Sequence, residues 1–363
     1  MGENSLTVSK RNYGIDLLRI VSMLMIVVLH MLGHGGALYE PVQLSKRYIF
    51  FWFLEIACYS AVDCYALISG YVGCKSKFKY SNIGYIWLQT FFYSVTVAGV
   101  FLLLSKTDMQ HFKDSFTPVL NNGYWYFTAY FCMFFFIPAF NAVIDNLSDK
   151  QLKVLGLTMI GLFSVMPVIA ERELFGTGSG YSALWLGILY VLGGIIRKTG
   201  FLQNVKTVYL FIAYFAFTVI VWLEKILIEK HNTVVPAEEA VRVPALNYTT
   251  PLVLATAVVL LIGFSKLRVK KISAKIIAFF APLTFGVYLI HDNNLFREIV
   301  VKNSFVGIDS FVEQIFRIGI AVVVIFLGCS LVDWVRSKLF ELLRIRKMLA
   351  QLEEKIAGQL WGK

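Results

Sequence analysis

Arg19 and His30 stand eleven residues apart in RNYGIDLLRIVSMLMIVVLHML, and only Ser22 interrupts the apolar residues between them. Eleven residues at about 100° each make three turns plus about 20°, so the two share one helix face, roughly 16 Å apart along the axis. Asp16, three residues before Arg19, lies near the same stripe. Ionisable side chains inside a spanning segment are costly, and they usually face a cavity or a partner rather than lipid. A seam of acid, cation and imidazole suits chemistry or transport rather than a simple anchor. A structural reading competes with it, in which His30 bonds helix to helix and Asp16 simply pairs with Arg19.

Further polar groups interrupt other apolar runs. YIFFWFLEIACYSAVDCYALISGYVG carries Glu55 and Asp63, eight residues apart, which is about 80° off one face and roughly 12 Å along a helix. Asp63 falls in mid-run and is expected to be buried, with Arg19 as a candidate partner; a structural ion pair is the alternative to substrate binding. The run closes on Ser69-Gly70-Tyr71, where small residues permit close backbone approach. Lys75, Lys77 and Lys79 follow directly. They read either as an ordinary basic loop or as a grip on a phosphate-bearing ligand. Gly123-Tyr124-Trp125-Tyr126 opens another run, as an interfacial aromatic belt or as substrate contacts. TFGVYLIHDN places Tyr288, His291 and Asp292 at the end of a later run, on the side of the membrane toward which His30 lies, so the two imidazoles would line one vestibule.

The elements that must position these groups are membrane helices. The chain is 58% hydrophobic and 15% aromatic, with mean hydropathy +0.68, more apolar surface than a soluble chain of this size can hide. Ten long apolar runs, near 14–33, 48–72, 83–104, 123–143, 152–170, 181–196, 206–223, 249–264, 276–293 and 311–334, predict an all-α polytopic membrane protein of about ten transmembrane helices. None alternates as a barrel strand would. With the N-terminus inside, 22 of the 34 lysines and arginines fall on the cytoplasmic side and 10 outside, an asymmetry that predicts both termini in the cytoplasm. It accounts for the net charge of +11 through lipid or an anionic cytoplasmic ligand, without nucleic acid. Residues 1–334 read as one membrane domain and 335–363 as a basic amphipathic cytoplasmic tail on the inner leaflet. The five cysteines read as small core residues, and no cleavable signal is expected because Asp16 and Arg19 interrupt the first run. No paired-cysteine metal site, phosphate-binding glycine loop or nucleophile-elbow motif is present, and no metal is expected.

Together these segments resemble the family 3 membrane acyltransferases, which O-acylate bacterial cell-wall and surface glycans. The resemblance rests on Gly14-Ile-Asp16-Leu-Leu-Arg19 with His30 beyond it, Ser69-Gly70-Tyr71, Trp125-Tyr126 and Val287-Tyr288-Leu289-Ile290-His291. It implies a bacterial cell-membrane O-acyltransferase that moves an acetyl or other short acyl group from cytoplasmic acyl-CoA, acetyl-CoA first among donors, to a hydroxyl of an extracytoplasmic glycan. His30, Arg19 and Asp16 are then the catalytic candidates. Arg19, Lys75, Lys77 and Lys79 are the donor-binding candidates, and Asp63, Glu55, Trp125, Tyr126, Tyr288 and His291 the substrate-binding ones. His30 serves as general base or as covalent acyl carrier. Lysines stand where family members often carry arginines after the serine–glycine motif. The extracytoplasmic hydrolase-like domain of many relatives does not occur in these residues. The acyl group is therefore expected to pass directly to the acceptor or to a separate extracytoplasmic protein. Two other classes fit the same polar seam: a transporter or flippase using it as a substrate or proton path, and a membrane module that only binds.

Overall fold

A computed structural model of the chain describes residues 11–121, 123–241 and 246–361; Lys10, Arg242 and Lys363 of the charge pattern lie outside them. In lipid every backbone donor and acceptor must find its partner within the protein, and a helix achieves this within a single segment. The described residues accordingly form helices and contain no strand. The longer ones are α1 (Tyr13–Gly33), α2 (Lys46–Tyr59), α3 (Ala61–Gly73), α4 (Tyr80–Leu103), α5 (Trp125–Phe134), α6 (Ile137–Asn146), α7 (Asp149–Ile169), α8 (Ala183–Thr199), α9 (Thr207–Asn232), α10 (Pro251–Ser265), α11 (Lys271–Phe280), α12 (Thr284–His291), α13 (Phe311–Leu342) and α14 (Ile345–Trp361).

Every apolar run becomes helical, but the runs are not equal as spans. Among the described residues seven segments are long and apolar enough to cross a membrane; α5 and α6, bent 59° to each other, make an eighth if they count as one span. The runs near 181–196 and 249–264 form α8 and α10, of 17 and 15 residues. At 1.5 Å per residue these are about 25 and 22 Å long, short of a hydrocarbon core of about 30 Å. Both are buried on nearly all faces. The figure of about ten spans therefore counts apolar runs, not full-length crossings.

Local chemistry sets the boundaries. The Asn12 side chain accepts from the Gly14 and Ile15 amides and starts α1. Ser148 and Gln151 close a reciprocal capping box at α7. Pro251 opens α10, and Gly200, with φ +63°, ends α8 in the left-handed conformation. The second run, expected as one helix over 48–72, breaks at buried Ser60 into α2 and α3.

α1 is the hub. It touches α2, α3, α10, α11, α12 and α13, and it buries residues around its whole circumference. α3 and α8 run closely together because both present glycine at the crossing. A Cβ at Gly70 would come within 1.8 Å of the Tyr190 carbonyl oxygen, and one at Gly193 within 2.1 Å of the Leu67 carbonyl oxygen.

Candidate active site

The first-helix seam divides into two stations. At its start the buried Asp16 carboxylate sits between two guanidinium groups, 2.5 Å from Arg11 Nε and 2.7 Å from Arg19 Nη1. Arg19 is thereby held in place. Its carbonyl accepts from the Tyr65 hydroxyl at 2.7 Å. Its charge reaches Tyr65 and Tyr130.

Three turns further on, the His30 ring Nδ1 lies 3.0 Å from Nε2 of His291, at the end of α12. Nδ1 of His291 in turn lies 2.6 Å from the Val287 carbonyl oxygen. Asp292 Oδ1 is 3.6 Å from His30 Nδ1 and accepts from Arg297 Nη1 at 2.9 Å. The His34 ring, one turn beyond His30, is centred 5.3 Å from it. Burial, and then the Arg297 charge, hold the His34 imidazole below its ordinary range, which keeps it neutral.

His30 opens into a cavity of ≈ 340 Å³. Glu55 and Tyr59 of α2, Tyr65 of α3, Trp125 and Tyr126 of α5, Tyr288 of α12, Tyr181, Tyr248, His34, Asp292 and Arg297 line it with His30. Six residues singled out in the sequence thus meet in one chamber: His30, Glu55, Trp125, Tyr126, Tyr288 and Asp292. His291 stands directly behind His30, fully buried. One wall is aromatic. Tyr59 stacks on Tyr248 at 4.7 Å, and Trp125 packs on Tyr181 at 4.4 Å. One turn before Tyr59 on α2, Glu55 Oε2 is buried without a hydrogen-bond partner among the described residues.

The other expected residues lie elsewhere. Asp63 is fully buried, but its partner is the Trp185 indole, which donates to Oδ1 at 3.0 Å, and not Arg19 as the helix faces suggested. The short, buried α8 brings Trp185 against α3 first. Asp63 does not line the chamber. Lys75, Lys77 and Lys79 are exposed in the α3–α4 connection. An aromatic stripe links that connection to the chamber. Tyr126, Tyr130 and Phe134 follow one another at four-residue intervals on α5, with ring centres 6.4 and 6.3 Å apart, and Phe78, between two of the lysines, meets Phe134 at 4.9 Å. Arg19 stands beside this stripe at Tyr130.

Two participants went unread in the sequence. His34 had a signal, since it follows His30 by four residues on the same helix face. Arg297 had none, because it arrives from a separate short helical segment, Arg297–Val301, after α12. His30, His34 and Asp292 each bring a ligand atom within 4.8 Å of the others and by composition could hold a metal ion; Arg297 already supplies a cation to that carboxylate.

An imidazole in a walled chamber of a helical membrane protein, with an anchored arginine and exposed lysines at the other end of the seam, is a set of groups that a membrane-embedded transferase can use. The sequence profile described as an acyltransferase domain matches residues 12–334. The chain belongs to the family 3 acyltransferases, and it is a multi-pass membrane acyltransferase. No curated protein and no solved structure matched it.

Proposed function

We propose that this protein transfers an acetyl or other short acyl group from acyl-CoA to a hydroxyl of an extracytoplasmic glycan, in the cell membrane of a bacterium and with both termini in the cytoplasm. One observation carries the reading: His30, Glu55 and an aromatic wall line a single chamber, and an aromatic stripe passing Arg19 connects that chamber to three exposed lysines. Phosphates at Lys75, Lys77 and Lys79 would let a long donor lie along the stripe past Arg19, with its thioester at His30. Aromatic faces suit the C–H surface of a sugar ring, and the Glu55 carboxyl, which lines the same chamber, suits a sugar hydroxyl.

In this reading the acceptor hydroxyl gives its proton to His30 as the oxygen attacks the thioester carbonyl carbon. A new C–O bond forms, the C–S bond breaks, and the departing sulfur takes the proton. The enclosed chamber limits competing hydrolysis. The acceptor is acylated directly or through a separate extracytoplasmic carrier protein.

The test is mass spectrometry of surface glycans from cells with and without the gene, alongside purified protein in nanodiscs given radiolabelled acetyl-CoA. Acyl groups that vanish with the gene and return with the wild-type protein support the reading. Unchanged glycans, together with liposomes that take up a solute unmodified, would replace it with a transporter.

A further inference from the structure

His291 does not line the chamber and is fully buried, yet it holds the one hydrogen bond made by the His30 ring among the described residues. The direction of that bond follows from its far end. The Val287 carbonyl oxygen can only accept, so the His291 nitrogen 2.6 Å away, Nδ1, carries a proton. A neutral His291 then has a bare Nε2, which is an acceptor. His30 Nδ1, 3.0 Å from it, must be the donor. A neutral His30 with its proton on Nδ1 has a free electron pair on Nε2, the nitrogen without a protein partner on a ring that faces the chamber. The backbone of α12 therefore dictates, through two imidazoles, which nitrogen of His30 is basic.

We propose that His291 is a positioning residue that fixes the Nδ1–H tautomer of His30 and presents Nε2 as the atom that takes the acceptor's proton. The proposal rests on the acyl-transfer reading above. The surroundings suit it. Asp292 Oδ1, 3.6 Å from the same Nδ1, is already engaged by Arg297 at 2.9 Å, so it does not compete as a full acceptor for the Nδ1 proton. It lies close enough to steady the imidazolium that forms when Nε2 is protonated. The arrangement places base, orienter and backbone anchor in a line, with α12 as the rigid support. When acyl transfer proceeds, the hydroxyl proton moves to His30 Nε2, the acyl carbon gains the C–O bond and loses the C–S bond, and Nε2 returns the proton to the leaving thiolate. His291 keeps its own proton throughout.

The experiment uses full-length protein in nanodiscs, labelled with ¹⁵N-histidine, and long-range ¹H–¹⁵N correlation to assign the His30 tautomer; His30→Gln identifies its signals. Wild type should show neutral His30 protonated on Nδ1. An Nε2–H tautomer overturns the proposal whatever the activity. Kinetics supply the second arm. His291→Phe keeps a ring of similar size and removes the acceptor; His291→Gln offers a side-chain carbonyl near the position of Nε2. We expect His291→Phe to lower kcat at least tenfold with KM for the thioester within about twofold, and His291→Gln to recover most of the loss. A His291→Phe enzyme with wild-type kcat, or a folded His291→Gln enzyme as slow as His291→Phe, overturns it. The tautomer measurement on wild type decides alone if the phenylalanine variant does not fold. A wild-type protein with the Nδ1–H tautomer that transfers no acyl group from any thioester keeps the relay and removes the acyl-transfer reading instead.

Discussion

At the scale of single residues the chamber separates a reacting group from recognising groups. His30 has one nitrogen tied to His291 and a side chain one-fifth exposed toward the cavity, a geometry that serves a base better than a packing residue. His30→Ala should cut acyl transfer by roughly 10²–10⁴-fold, measured as radiolabel moved from acetyl-CoA to acceptor, with the thermal midpoint of the purified protein little changed. Near-wild-type transfer would remove His30 from the chemistry. Glu55 lines the same space, and its Oε2 has no hydrogen-bond partner among the described residues. If the Glu55 carboxyl receives an acceptor hydroxyl, Glu55→Gln replaces that carboxyl with an amide at constant size. The lost increment corresponds to a rise of about tenfold in KM for the acceptor, with hydrolysis of the thioester in the absence of acceptor unaffected. A variant in which the acceptor KM is unmoved would assign Glu55 to the wall of the chamber rather than to recognition. Much of this scale was legible in the sequence, because an arginine, a carboxylate and an imidazole stand out against an apolar run and helical periodicity fixes their face. The partner of Asp63 was not legible: Trp185 lies 122 residues away, and only the packing of two helices brings it there.

At the scale of elements, α1 carries the seam and the helices around it decide what each end meets. α12 supplies His291, α5 the aromatic stripe, and α2 and α3 the residues on either side of the Ser60 break. The apolar runs announced all these helices. What they did not announce was where runs break: the turn at Ser60 and the 59° bend between α5 and α6 arise where tertiary packing and Pro138, near the start of α6, override continuous hydropathy. Close packing of α3 on α8 is the most sharply specified of these contacts, and it holds Tyr65 and Ser69 against α5. Ser69 Oγ donates to the Tyr65 carbonyl oxygen at 3.0 Å, and the Tyr65 ring meets Tyr126 of α5 edge-on at 6.5 Å. Gly70→Val would place its Cβ within 1.8 Å of the Tyr190 carbonyl oxygen, a backbone atom that cannot swing away. Overpacking of this kind costs about 1–3 kcal/mol, and more where backbone must shift. We expect Gly70→Val to lower the thermal midpoint by several degrees and to reduce activity together with it, measured by tryptophan fluorescence during heating. A variant with an unchanged midpoint would show that α3 and α8 do not meet as closely as drawn.

At the scale of the whole molecule the question is how a charged donor reaches a chamber three turns along a membrane helix from Arg19. The three lysines are exposed between α3 and α4, and the tail helix α14 secures the loop that bears them: Glu353 accepts from the amides of Tyr80 and Ser81 at 2.8 and 3.1 Å, at the start of α4. A carboxylate at a helix N-terminus is favourable in its own right, and here it anchors the end of the basic loop. If phosphates of acyl-CoA dock on this loop, the contacts are exposed and screened by salt over about 10 Å at 0.1 M. Changing Lys75, Lys77 and Lys79 together to glutamine should therefore raise KM for acyl-CoA about tenfold at low salt and flatten its dependence on ionic strength, while kcat stays near wild type. Arg19 works differently. It is held by Asp16 at 2.7 Å and stands beside the stripe at Tyr130, so Arg19→Ala should impair orientation of the donor as well as its binding and lower kcat together with affinity. The helix should survive the change, because Asp16 keeps Arg11 at 2.5 Å as a partner for its charge. Calorimetry of acyl-CoA binding to wild type, Arg19→Ala and the triple lysine variant, at two salt concentrations, separates the two contributions. Equal affinity in all three proteins would mean that the donor enters elsewhere. Binding that weakens with salt in wild type and Arg19→Ala but not in the triple variant would put the phosphates on the lysine loop, with Arg19 set deeper along the donor's path.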